Sequence, residues 1–262
     1  MRVTIKSVIC LLLISWHLTV LGESRAVSSL GRIEPKGGII QVAGPSGGGA
    51  PSSVIKSLSV KEGEWVEKDQ VIAYLDSYRL REAEVARLQA IYVNAKSELD
   101  RQKNLSRTSA TSKVTLDKAT MNLDIAKADL AAAQARLDLA VVRSPVRAQV
   151  LEIFASPGES VGPEGVVELG QTDQMYVVAE VYETDISLVK NGQSAIIRIG
   201  AIEEPQSGIV ERVALKVGRM DILGTDPVDK TDARVVEVYI LLDDSEAVSK
   251  YTNMQAEVEI HI

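Results

Sequence analysis

The sequence predicts a mainly β chain interrupted by a long α-helical coiled-coil hairpin and followed by a small antiparallel β-barrel. Three observations carry this. An unbroken heptad seam runs through residues 77–143. A strand-turn-strand pattern is repeated on either side of that seam. Short alternating strands punctuated by turn residues occupy the stretch from Gln171 to Ile262.

The seam lies on the second arm of the hairpin, at Leu116, Ala119, Leu123, Ala126, Leu130, Ala133, Leu137 and Ala140. Leu and Ala alternate strictly, and a small residue at every second position lets a partner helix come close. The first arm offers the matching stripe at Val85, Leu88, Tyr92, Ala95, Leu99 and Gln102. The polar link from Arg107 to Lys113 is short, so the arms must be antiparallel neighbours. Each arm of about 30 residues is about 45 Å long at 1.5 Å per residue. The remaining sequence offers no further helices for such a rod to bundle with, so it is expected to project.

Ahead of the hairpin, Arg2 and Lys6 precede an apolar run from Val8 to Leu21, followed by Gly22, Glu23 and Ser24. A run of this length is short for a spanning helix, which needs ~20 residues. Residues 1–25 therefore read as a signal peptide or an N-terminal membrane anchor, and the body of the chain is expected outside the cytoplasm. Gly31 and the Glu34–Gly38 stretch look like breaks. Ile39–Val42 reads as a short strand, and Gly44–Ser53 as a loop without the Gly-Lys-Ser/Thr ending of a phosphate-binding loop. Val54–Val60, Val66 and Val71–Leu75 read as strands, and Asp76 or Ser77 as the cap of the first helix.

Residues Ile55–Ile72 align without a gap to Val150–Val167. Leu58 matches Ile153, Gly63 matches Gly158, Glu64 matches Glu159, Val66 matches Val161, and Val71-Ile72 matches Val166-Val167. A glycine at the same place in both copies points to a turn with positive φ. Two such halves around a helical insertion are expected to pair into one body with a pseudo-twofold axis.

The whole-chain totals exclude several functions. The formal charge is −7, from 29 basic and 36 acidic residues, with no basic stripe, so nucleic acid is not expected as a partner. The two histidines, His17 and His261, lie far from any Ser or Cys signature, and the single cysteine, Cys10, lies in the apolar run. That leaves no material for a His-based triad or a His/Cys zinc site. No catalytic residues, cofactor or metal are expected.

Two lipoyl-type half motifs split by a coiled-coil hairpin resemble a periplasmic adaptor of the HlyD type, also called a membrane fusion protein. Gly31–Pro35, Ile39–Val42, Val60–Glu64 and Ala73–Ser77 are most similar to the DevB-like branch, which serves ABC exporters. Val142-Arg-Ser-Pro145 resembles the family's return from the second helix. Arg147 and Ala148 then stand where Asp and Gly are usual, and Asp69 replaces a usual Gly. The resemblance implies a lipoyl-like barrel-sandwich hybrid: a first half with its leading strand at 26–76, the hairpin at 77–143, a second half at 144–171, and a β-barrel with membrane-proximal strands at 172–262. It further implies a non-enzymatic adaptor in the periplasm, associated with the inner membrane. Its partners would be an inner-membrane ABC transporter (permease and ATPase) and a TolC-type outer-membrane channel. It would also assemble as a homo-oligomer, a ring of six.

Adaptors that dock on a TolC-type duct carry Arg, then Leu four residues on, then Ser seven later at the hairpin tip. Arg101, Leu105 and Ser112 fit that spacing. Leu105 would supply an apolar knob, Arg101 a charged donor and Ser112 a hydrogen bond. The same residues have a purely structural reading, in which Ser112 caps the second helix, Arg101 is solvated and Leu105 closes the coil.

Carrier domains for lipoyl or biotinyl groups share the half-module pattern, but they present a Lys on the hairpin that the rod replaces here. Lys61 and Lys68 read as solvated turn residues. A carrier domain and a secreted coiled-coil scaffold remain the alternative functions. In the C-terminal region, strands are expected at Met175–Glu183, Ser194–Ile199, Ile209–Val217, Arg234–Leu242 and Met254–Ile262, with a helix-like turn at Thr184–Lys190. Asp221, Asp226, Asp229 and Asp232 lack calcium-loop spacing. Glu180, Glu183 and Asp185 form either an acid-base cluster or surface groups on a barrel rim, in contact with solvent or another protomer.

Overall fold

A computed structural model describes residues 25–44, 54–108, 110–220 and 233–262. The apolar run with Cys10 and His17, most of the Gly/Ser loop, and Asp221, Asp226, Asp229 and Asp232 lie outside the described residues.

Two strands organise the β part. β1 (Ala26–Val42) and β7 (Val167–Tyr182) pair antiparallel over most of their length, from Leu30↔Glu180 to Val42↔Val167. The two ends of this ribbon serve different bodies. Around residues 26–35 of β1 and 175–182 of β7, β8 (Ser194–Ile199), β9 (Gln206–Arg219), β10 (Arg234–Leu242) and β11 (Gln255–His261) pair in the order β1-β11-β8-β9-β10-β7, and β7 pairs back to β1. The ring of six strands therefore closes, which removes every free sheet edge. Alternate residues point inward and form one apolar core: Ile33, Met175, Val177, Ala179, Ile197, Val238, Ile240, Val258 and Ile260 are all buried in it.

Gly31 and the Glu34–Gly38 stretch do not interrupt β1, contrary to the sequence expectation. Gly31 sits inside the strand because an added Cβ would lie 2.7 Å from Val177 Cγ1 and 3.0 Å from the Val178 carbonyl. The glycine serves close packing, which a pattern of breakers cannot distinguish from a break. β10 and β8 have the expected bounds, and the Thr184–Lys190 turn contains a short 3-10 turn at Ile186–Leu188. A single helical turn, α3 (Ser245–Val248), follows β10, capped by the Asp244 carboxylate, which accepts from the Ala247 N–H.

Residues 36–42 of β1 and 167–171 of β7 join β6 (Ala148–Ile153) and β3 (Trp65–Val66) in one sheet. It faces a second sheet of β2 (Ile55–Leu58), β4 (Val71–Leu75) and β5 (Val141–Arg143). Val66, Ile72, Ala73, Val150, Val166, Val167 and Leu169 from both repeats share one core. The twofold relation is written in the hydrogen bonds. The Gly63 N–H donates to the Val150 carbonyl and the Gly158 N–H to the Ile55 carbonyl, each at 2.8 Å. The Val150 N–H donates to Glu64 (2.9 Å) and the Ile55 N–H to Glu159 (2.8 Å). Each half thus closes the other. The turns match too. The Glu64 carboxylate accepts from the Lys61 N–H and the Glu159 carboxylate from the Ser156 N–H. Gly63 and Gly158 adopt φ of +80° and +95°, a region that L side chains enter only at a cost.

Candidate functional site

The hairpin leaves this split module between β4 and β5. α1 (Tyr78–Ser106) and α2 (Lys113–Asp138) have 29 and 26 residues. All fourteen predicted seam positions are buried or half-buried, and Leu88, Leu99, Ala119, Ala126, Leu130, Ala133 and Ala140 are the fully buried ones. The apolar stripe of each arm is spent on the other arm. Leu88, Leu130 and Ala133 form a layer with Val85 and Tyr92. Among the described residues, nothing in the β modules covers the outer faces along the rod.

Its far end is built from the three candidate residues. α1 stops where the Leu105 carbonyl accepts from the Thr108 and Ala110 N–H groups at 3.2 and 2.9 Å, folding the link back on the helix. Thr111 Oγ1 donates to Gln102 Oε1 at 2.7 Å and ties the arms together at the tip. Ser112 adopts an extended backbone, and its Oγ accepts from the Thr115 N–H at 3.1 Å, so it is the N-cap of α2. Ser112 therefore has a structural task, with its side chain still at the surface. Leu105 is 38 % exposed on the last turn of α1. Arg101 stands one turn behind it on the same face, mostly exposed, with Nη2 3.1 Å from Glu98 Oε2. All three are at the tip, and two of them are turned to solvent.

Sequence reasoning missed two features. Val114, in the first turn of α2, is 77 % exposed, the most exposed apolar residue of the tip. It opens a second stripe that continues through Met121, Ile125, Ala128, Ala132, Ala135 and Leu139, all exposed and interrupted only by Lys118. This stripe keeps the heptad spacing of the seam but lies on the opposite side of α2, flanked by Asp117, Asp124 and Asp138. Counting the heptad around the whole helix would have found it. The outward side of α1 differs: there Arg79, Arg87 and Arg101 are exposed, each beside a Glu of its own helix.

The carboxylates of the barrel resolve into a structural group. Glu180 is buried to 2 % exposure and receives Arg32 Nη1 at 3.3 Å. Arg32 also donates to Glu34 and, at 2.9 Å, to Glu237. The reading of Glu180 as a surface group of the rim is therefore corrected, while Glu183 is exposed. Glu180 faces the Arg32 network, while Glu183 lies 4.0 Å from Arg234. Burial alone would lower the Arg32 pKa and raise that of Glu237, but hydrogen bonds and opposite charges together outweigh it, from Glu237 and Glu34 on Arg32 and from Arg32 and Tyr239 on Glu237, so the guanidinium is raised and the carboxyl lowered. Beside them Arg212 stacks on the Tyr239 ring at 3.6 Å, and burial, then Glu211, pushes the Tyr176 hydroxyl up to about 12. Among the described residues no group of three or more His, Cys, Asp or Glu could hold a metal ion, and no helix is long and apolar enough to cross a membrane.

Comparison with known proteins gives the same outline. Residues 77–143 match the family described as RND MFP, alpha-helical hairpin domain. Macrolide export proteins MacA of Shigella flexneri and Yersinia pestis are 27 % identical over 179 residues, covering 56 % of this chain and 48 % of theirs. The chain thus spans about half the length of the curated relatives it matches. A MacA–MexA chimera carrying the Pseudomonas aeruginosa MexA hairpin superposes with a TM-score of 0.74 at 22 % identity, covering 91 % of this chain and 81 % of that one. The membrane fusion protein Spr0693 of Streptococcus pneumoniae does so at 0.66 and 17 %, covering 89 % and 98 %. MacA of Actinobacillus actinomycetemcomitans does so at 0.54 and 24 %, covering 91 % and 79 %.

Proposed function

We propose that this chain, a membrane fusion protein of the HlyD type, is the periplasmic adaptor subunit of a tripartite efflux or secretion system. It links an inner-membrane ABC transporter, permease and ATPase, to a TolC-type outer-membrane duct, and catalyses nothing itself. The observation that carries this reading is the free rod, whose seam is satisfied between its own two arms and whose tip exposes Leu105, Val114 and Arg101. A helical knob with a flanking cation fits the apolar grooves and carbonyl-rich ends of a helical duct. The resemblance of the 31–35 and 60–77 motifs to the DevB-like branch supports the ABC transporter as the inner partner. The names of the curated relatives support export as the activity.

The adaptor works as a ring of copies. The apolar, acid-flanked back of α2 and the arginine-bearing back of α1 are complementary. In neighbours pointing the same way they meet head to tail, the kind of contact from which a closed ring is built when the rotation between copies closes. The docking reading is tested by photo-crosslinking from position 114 in cells, together with export of cargo. Leu105→Asp and Arg101→Asp are expected to abolish the crosslink to the duct and to lower export at least tenfold while the protein level is unchanged. Wild-type crosslinking and export in both variants would overturn it.

A further inference from the structure

Arg147 stands where the sequence departs from the family pattern, and the docking reading makes no use of it. It lies at a junction. Between the barrel and the lipoyl-like module, the β1–β7 ribbon slips register twice. Pro35 pairs with Met175 but Lys36 with Gln171, so residues 172–174 are extra on β7. Ile40 then pairs with Leu169, which makes β1 the longer side. In that second bulge Gly37 and Gly38 hold φ of +76° and +77°, with no atom closer than 3.9 Å to where a Cβ would be. Two opposed bulges let a ribbon bend. Next to them is a cleft of 360 Å³, lined by Gln149, Glu152 and Glu168 of the lipoyl-like module and by Lys250 and Asn253 of the barrel.

Arg147 bridges the junction. Its guanidinium lies 4.4 Å over the Trp65 ring, Nε is 3.3 Å from Glu67 Oε1, and Nη1 is 3.2 Å from Asp173 Oδ2 in the β7 bulge. Its carbonyl accepts from Gln171 Nε2 at 3.4 Å. Trp65 and Glu67 belong to the lipoyl-like module, and Asp173 to the linking bulge. The Asp173 pair is half-exposed and therefore weak and screened by salt, whereas stacking on Trp65 keeps the guanidinium in place when the carboxylate leaves. We propose that Arg147 is the clasp of a hinge. Held on Asp173, it keeps the cleft open; released, it lets the lipoyl-like module rock on the barrel. The closed state gains its own contact, because Glu152 and Glu168 on one wall then approach Lys250 on the other.

Spin labels at Lys68→Cys and Glu204→Cys, one on each body, in the full chain carrying Cys10→Ser, report the angle by pulsed EPR. The parent protein is expected to give one narrow distance distribution. Arg147→Ala and Asp173→Asn should each add a second population, and 1 M salt should add the same one to the parent. Glu67→Gln, a change within the lipoyl-like module, should leave the distribution single. Thermal melts at the parent value establish that the variants are folded, and Asp173, exposed on its bulge, is replaceable without unfolding. A single, unshifted distribution in both Arg147→Ala and Asp173→Asn would overturn the clasp.

Discussion

At the scale of the residue, Arg32 carries the heaviest electrostatic duty in the barrel wall. It is the guanidinium against which the buried Glu180 carboxylate is placed, and it joins β1 to β7 and β10. Taking the cation away from a buried carboxylate is strongly destabilising. Arg32→Met is therefore expected to cost about 3–5 kcal/mol, and Arg32→Met with Glu180→Leu less, because the double change removes the most deeply buried carboxylate as well. Urea midpoints of the two variants check this. The pH dependence has a definite sign. Glu237 has a folded pKa below its ordinary 4.5, despite burial, through hydrogen bonds from Arg32 and Tyr239. A depressed carboxyl gives stability that is complete above the unfolded value and disappears as pH falls through the folded one. The urea midpoint should therefore fall as pH drops below about 4.5, and Glu237→Gln should flatten that fall. None of this was legible beforehand. Arg32 and Glu34 are two residues apart in the sequence, but Glu180 and Glu237 reach them only through the register of a closed barrel.

At the scale of the element, the hairpin was legible almost residue by residue, because a 3.5-residue period survives any tertiary context that merely pairs two helices. What stayed hidden was the second stripe, since an apolar residue facing solvent and one facing the seam look alike until the heptad is counted around the helix. The two faces make opposite predictions for the same substitution one residue apart. Ala133 is 1 % exposed in the seam, so Ala133→Leu overpacks it and should cost about 1–3 kcal/mol. Ala132 lies on the open back, so Ala132→Leu should change stability by less than about 0.5 kcal/mol. Hydrogen exchange of the α1 and α2 amides reads the difference directly. Ser112 separates capping from docking in a similar way. Ser112→Ala loses the bond to the Thr115 N–H and should fray α2 at a cost of about 1 kcal/mol. Ser112→Asp keeps an N-cap acceptor and should keep helix stability, so a loss of duct crosslinking in Ser112→Asp alone would assign the hydroxyl a role beyond the cap.

At the scale of the whole molecule, β1 and β7 make one architecture out of two modules. The sequence hides this because Gly31 and the Gly37-Gly38 pair read as ends of strands, while in the fold they are a close approach and a bulge within a single strand. The repeat, in contrast, was visible, since each half-module needs its own αL glycine and its own Glu to close the turn. The hairpin itself offers unlike backs: an apolar stripe with Asp117, Asp124 and Asp138 on α2, and Arg79, Arg87 and Arg101 on α1. In the proposed ring, α1 of one copy packs against α2 of the next with all tips on one side, which covers the apolar stripe. Each ion pair is exposed and weak, whereas burying Met121, Ile125 and Leu139 against a neighbour excludes water from them. Ile125→Glu should therefore lower self-association at least tenfold in sedimentation velocity, with circular dichroism unchanged. Salt should weaken assembly only modestly, because the apolar stripe supplies most of the attraction. Steep loss of assembly in 0.5 M salt together with a neutral Ile125→Glu would assign the contact to the charges instead and remove the stripe from the interface.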